Sequence, residues 1–170
     1  TLACKNKKII DQLQHSLSTP NLRLYSSTDI IGTQIGGSLK NVIAIACGMV
    51  KGAGLGESAQ TALMTRGLSE IINLGLALGA EPNTFYGLSG LGDLSLTCNS
   101  KNSRNFTFGF NYGSNLKNNT EITVEGVKTA SAASLIAKQY SVDVPIIKTV
   151  DQILKGKLSL NTSINELLSR

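Results

Sequence analysis

A carboxylate in a glycine-rich turn, with an Arg-Asn pair a dozen residues later, is the part of this sequence best suited to chemistry. The first lies in Gly87-Leu88-Ser89-Gly90-Leu91-Gly92-Asp93-Leu94-Ser95-Leu96-Thr97, the second in Ser103-Arg104-Asn105. Asp93 can accept a hydrogen bond from a hydroxyl or hold a lysine. Thr97, one helical turn on, shares its face. Arg104 offers a planar fork to a phosphate, and Ser103 with the free N–H groups of a helix start favours an anion. Upstream, Lys40-Asn41 sits inside the apolar run from Ile35 to Ala46. A lysine withdrawn from water releases its proton more readily and can give or take one near neutral pH. As an ammonium it stabilises a developing oxyanion. Asn41 beside it is a further hydrogen-bonding group for a substrate. Each residue also has a plainer reading: a snorkelling lysine, an N-capping aspartate, a surface arginine, a self-satisfied helix asparagine.

The elements that must position these groups are mostly helical. Apolar residues at Ile9, Ile10, Leu13 and Leu17 predict a helix over 2–17, broken by Ser18-Thr19-Pro20-Asn21, and Leu22–Tyr25 reads as a short strand. Asp29 or Thr28 is a fair N-cap for the next segment. Ile30–Val50 admits two readings, since Val42–Ala46 could be a buried strand. The glycines that follow, Gly52-Ala53-Gly54-Leu55-Gly56, then suggest a dinucleotide turn, but the third comes one residue early. Length and alanine content favour a central helix ended by a glycine-rich loop. Further helices are predicted over 58–78 with Gly79 as cap, from Pro82 to Phe85, from Asp93, from Ser103 to Phe110, over 124–140, 142–154 and 164–168. Residues 87–92 and 111–120 read as loops. The pattern is a mostly α domain over 27–170, preceded by an α/β remnant over 1–26.

Composition narrows the function classes. The 170 residues suffice for one domain with a real core, and the net charge of +5 favours anionic partners. There is no tryptophan, and the eight Phe and Tyr do not interleave with basic residues, so nucleic acid is not expected. Lys5, Lys7 and Lys8 read as the solvated face of the first helix. No run reaches the roughly 18 uncharged residues of a membrane helix, so no membrane span is expected. Three scattered cysteines, Cys4, Cys47 and Cys98, argue against a disulfide framework and for the cytoplasm. With His15 the sole histidine, no metal site or Ser-His-Asp triad is expected. The start at Thr1 suggests a piece of a longer gene product.

Several ordered segments together resemble the C-terminal half of bacterial NAD(P)-dependent glycerol-3-phosphate dehydrogenases. They are Gly36–Ile45, Thr65-Arg66-Gly67-Leu68-Ser69-Glu70, Leu78-Gly79-Ala80, Thr84–Gly87, the Gly-Leu-Gly-Asp segment, Ser103-Arg104-Asn105 and Val124-Glu125-Gly126. The resemblance implies an all-helical domain like the C-terminal domain of 6-phosphogluconate dehydrogenase, preceded by the tail of a Rossmann domain. It implies hydride transfer between NAD or NADP and the pair dihydroxyacetone phosphate and glycerol 3-phosphate, in phospholipid synthesis. Lys40 becomes the catalytic acid/base, with Asn41, Asp93, Thr97, Ser103, Arg104 and Asn105 on the substrate. Arg104, Thr123 and Glu125 face the cofactor. Most cofactor contacts belong to the absent first domain, so the fragment alone is expected to be inactive. The family often dimerises, which leaves a homodimer open here. The segment between Phe110 and Val124 is shorter than the family's pattern. Competing readings are another hydroxyacid or sugar-nucleotide dehydrogenase, which would not need Arg104, and a non-catalytic self-associating helical module.

Overall fold

The computed structural model describes residues 1–118 and 123–169, with side chains through Ile164. Its axis is α2 (Ile30–Gly52). Asp29 caps α2 by accepting the Gly32 N–H at 2.8 Å, and its other oxygen accepts the Glu81 N–H at 2.9 Å. Burial works against that carboxylate's charge, but these N–H groups and the Thr84 hydroxyl outweigh it and hold its pKa below the ordinary value. Val42 through Val50 are shut away from solvent, so this segment is a central helix and not a strand. By length and mean hydropathy, 1.3, α2 could cross a membrane, which counting uncharged residues did not admit; half of its most apolar stretch is buried inside the protein.

Around α2 pack α3 (Gly56–Ala77), α4 (Pro82–Tyr86), α5 (Asp93–Asn99), α6 (Arg104–Gly113), α7 (Glu125–Gln139) and α8 (Pro145–Leu154), while α9 (Leu160–Ser169) lies against α3 and α8. The α2–α6 contact is the closest. A Cβ on Gly48 would lie 2.2 Å from the Phe106 carbonyl oxygen, and one on Gly109 2.1 Å from that of Ile45. Gly52 and Gly113 meet the opposing backbone in the same way. Two Gly-x-x-x-Gly rows thus interlock backbone to backbone and fix the register of α6 on α2. Glu70 on α3 ties down α8, its oxygens accepting the Ile146 and Ile147 N–H groups at 2.7 and 3.0 Å. Pro145 has no N–H of its own, so these are the first free donors of α8. Burial raises the Glu70 pKa to about 7, against the pull of those two N–H groups and of Arg66.

The front of the chain departs from expectation. Asn6 caps α1 (Lys7–Leu17), accepting from Lys8 and Ile9, and the residues before it form β1 (Leu2–Ala3) rather than helix. The second strand is β2 (Ser26–Ser27), beyond the predicted Leu22–Tyr25, because β1 pairs in parallel with Ser26 and Ser27. On α1, Ile10 is buried, but Ile9, Leu13 and Leu17 are 42–50% exposed. The result is a short parallel β-α-β unit with open edges and an apolar helix face left exposed.

Three further differences concern the bundle. Residues 88–92 are not a loop but one π-helical turn (Leu88–Gly92) leading directly into α5. Helix α6 runs three residues past Phe110, since Gly113 packs on Met49. Helix α9 begins at Leu160, where the Ser159 hydroxyl accepts the Thr162 N–H. The end of the predicted 111–120 loop lies outside the described residues.

Candidate functional site

Lys40 and Asn41 stand midway along α2, and the glycines of the sequence bring their partners to them. A Cβ on Gly36 would lie 2.8 Å from the Ser89 carbonyl oxygen, and one on Gly90 2.2 Å from that of Phe85. Without those side chains the π-helical turn seats directly on α2 and α4. Asp93, first residue of α5, then reaches Lys40: Nζ donates to Oδ2 at 2.5 Å, with 21% and 33% of the two side chains exposed. Lys40 is therefore met by a charge in a half-open cleft, not isolated among apolar groups. Thr97, nearly buried, donates its hydroxyl to the Asp93 carbonyl at 2.6 Å and lies 3.5 Å from Oδ1.

The other wall comes from α6 and the start of α7. Ser103 caps α6, its hydroxyl oxygen accepting the Phe106 N–H at 3.2 Å, which leaves its own proton to donate. Arg104 reaches across to Glu125, Nη2 donating to Oε1. Asn105, 4% exposed, joins the walls: Oδ1 accepts the Gly126 N–H at 2.9 Å and Nδ2 donates to Asn41 Oδ1 at 2.9 Å. A longer contact, 3.4 Å, runs from Nδ2 to Glu125 Oε2, and it is the one an anion could replace. Because Asn105 occupies the Asn41 side-chain oxygen, the Asn41 NH2 is left with a long contact, 3.5 Å, to the Gly37 carbonyl of its own helix. Asn41 is thus set as a donor. Gly126 permits this junction, since a Cβ there would meet Asn105 Oδ1 and the Asn41 carbonyl at 2.8 Å.

Eight of the nine residues singled out in the sequence, Lys40, Asn41, Asp93, Thr97, Ser103, Arg104, Asn105 and Glu125, line one cleft of about 630 Å³. Thr123 is exposed and is not part of that lining. Ser100, Asn102 and Leu96 line it as well and were not foreseen. The polar run Ser100-Lys101-Asn102 between two helices was the available signal. Cys47 and Cys98, by contrast, are free thiols buried in the core. A second cavity of about 620 Å³ lies by Lys51, Gln60 and Phe110, at the C-terminal end of α2. Among the described residues no group of His, Cys, Asp or Glu could hold a metal ion.

The cleft can therefore offer an ammonium backed by a carboxylate, an exposed guanidinium, and amide and hydroxyl donors. Among the described residues there is no glycine-rich strand-turn-helix phosphate cradle. Gly54 and Gly56 adopt φ of +79° and +81° after the end of α2, not after a strand.

Comparison with known proteins bears on the family and the fold. Residues 29–165 match the family model described as NAD-dependent glycerol-3-phosphate dehydrogenase C-terminus. The glycerol-3-phosphate dehydrogenases [NAD(P)+] of Cereibacter sphaeroides and Ruegeria sp. are each 51% identical to the whole chain, which covers 56% and 53% of them. The chain thus spans about half the length of these curated relatives. The glycerol-3-phosphate dehydrogenase structure from Coxiella burnetii superposes with a TM-score of 0.93 at 34% identity, over 99% of this chain and 53% of that one. The Saccharomyces cerevisiae enzyme gives 0.83 at 25%, over 95% and 48%. With the family match and the fold in agreement, the chain belongs to the family of NAD-dependent glycerol-3-phosphate dehydrogenase C-terminal domains.

Proposed function

We propose that this chain is the substrate-binding, proton-transferring half of an NAD(P)-dependent glycerol-3-phosphate dehydrogenase acting in the cytoplasm on dihydroxyacetone phosphate and glycerol 3-phosphate. The observation that carries the reading is the Lys40–Asp93 pair at 2.5 Å, in one cleft with Arg104. Residues 1–26 are the tail of the cofactor domain and 27–170 the helical domain; the open β-α-β unit at the front supports that division.

The nicotinamide, when bound, supplies or accepts the hydride. Lys40 does the rest at the carbonyl carbon's oxygen: its ammonium draws charge onto that oxygen and donates a proton as the alkoxide forms. In the reverse direction the neutral amine takes the hydroxyl proton. Asp93 aims the ammonium and offsets its charge. Arg104, with the Ser103 hydroxyl, grips the phosphate. Asn41 donates to a substrate oxygen, and Asn105 keeps it in that orientation.

The test is NADPH oxidation with dihydroxyacetone phosphate, comparing the full-length chain with these 170 residues. Turnover by the long chain alone is expected. A folded long chain that leaves the phosphorylated ketone untouched would overturn the reading.

A further inference from the structure

Both cations of the cleft already hold a carboxylate: Lys40 has Asp93, and Arg104 has Glu125. These four charges sum to zero, so a phosphate enters a site with no uncompensated positive charge among them. The two pairs are not equally firm. Asp93 is one-third exposed and close to the Thr97 hydroxyl, whereas the Arg104 and Glu125 side chains are 57% and 43% exposed. An ion pair as open to water as the second is held weakly. Glu125 is also the first residue of α7, where the helix dipole favours a carboxylate whether or not it touches arginine. It can swing away from Arg104 without losing that support.

We propose, resting on the reading of Arg104 as the phosphate-binding group, that Glu125 is a competing anion that selects dianionic phosphate over monoanions. Glu125 pairs with Arg104 in the structure. A phosphate dianion, with more charge and a further oxygen for the Ser103 hydroxyl once two have met the guanidinium fork, displaces it. A carboxylate ligand of similar size offers one charge, the same as Glu125 itself, and does not. Glu125 thereby weakens the affinity for phosphate and excludes carboxylates.

Binding of inorganic phosphate and of glycolate to the full-length chain, measured by calorimetry, tests this in wild type, Glu125→Gln, Arg104→Gln and the double variant. Thermal unfolding confirms that each is folded. Glu125→Gln is expected to tighten phosphate binding about two- to fivefold, as loss of an exposed competing pair allows. It should also bring glycolate into measurable range. In the Arg104→Gln background the second change should do nothing. Phosphate binding weakened or unaltered by Glu125→Gln, while Arg104→Gln abolishes it, would overturn the competition and make Glu125 a prop for the arginine. Phosphate binding that survives Arg104→Gln would overturn the phosphate-site reading itself.

Discussion

The two ion pairs of the cleft have the same chemistry and opposite surroundings. Lys40–Asp93 joins the middle of the central helix to the first residue of α5, over a turn seated backbone to backbone. Arg104–Glu125 joins two helix starts at the rim, with about half of each side chain in water. The difference teaches where precision resides. On the proposed reading a proton has to be delivered within hydrogen-bond distance, and its donor, Lys40, sits on the buried central helix. On the same reading a phosphate has to arrive and leave, and Arg104 sits at the water-exposed rim, where its partner can be exchanged.

The contrast predicts a graded series in the full-length chain. Largest is Lys40→Ala, which should lower kcat about 10³-fold with the fold intact, as loss of a general acid and oxyanion partner does. Next is Gly109→Ala, whose Cβ would lie 2.1 Å from the Ile45 carbonyl oxygen. Backbone cannot yield as a side chain does, and the cost should be about 3 kcal/mol in denaturant unfolding. Displacing α6 should also raise KM, because Arg104 and Asn105 ride on it. Asn105→Ala leaves the buried Gly126 N–H and the Asn41 carbonyl oxygen without partners and should cost about 2 kcal/mol. An Asn41 free to flip should then slow turnover without raising KM for NADPH.

Smallest at neutral pH is Glu70→Gln, far from both pairs. Glu70 has a folded pKa of about 7 against an ordinary 4.5. Between those values the folded state keeps a proton that the unfolded state has lost. Its contribution to stability is complete below the lower value and disappears as pH rises through the upper one. Thermal melts should show stability falling across that window in wild type, and Glu70→Gln should flatten the slope.

The helical body was legible because its periodicity is local. Asp29, Ser103 and Gly79 act at helix ends as their types suggest. What stayed hidden was non-local. The glycines at 87–92 read as a loop, since nothing in a single sequence says that Gly90 must clear the Phe85 carbonyl or Gly36 that of Ser89. β2 formed one step beyond its apolar run because β1 chose its partners. In the site, residue types pointed to Lys40, Asp93 and Arg104 and offered a lysine as one partner for Asp93, but gave no sign of the Arg104–Glu125 pair. The linking role of Asn105, between α2 and the start of α7, depends on tertiary contacts alone.

The most direct test of the central claim, that Lys40 and Asp93 act as one proton-transferring unit, is a double-mutant cycle on kcat. Lys40→Ala, Asp93→Asn and the double variant would be compared in the full-length chain with NADPH and dihydroxyacetone phosphate. Residues working as a unit lose activity non-additively. Asp93→Asn alone should cost about 10²-fold, and the double variant should be within about threefold of Lys40→Ala. Losses that multiply, or turnover at the wild-type rate without Lys40, would contradict the account.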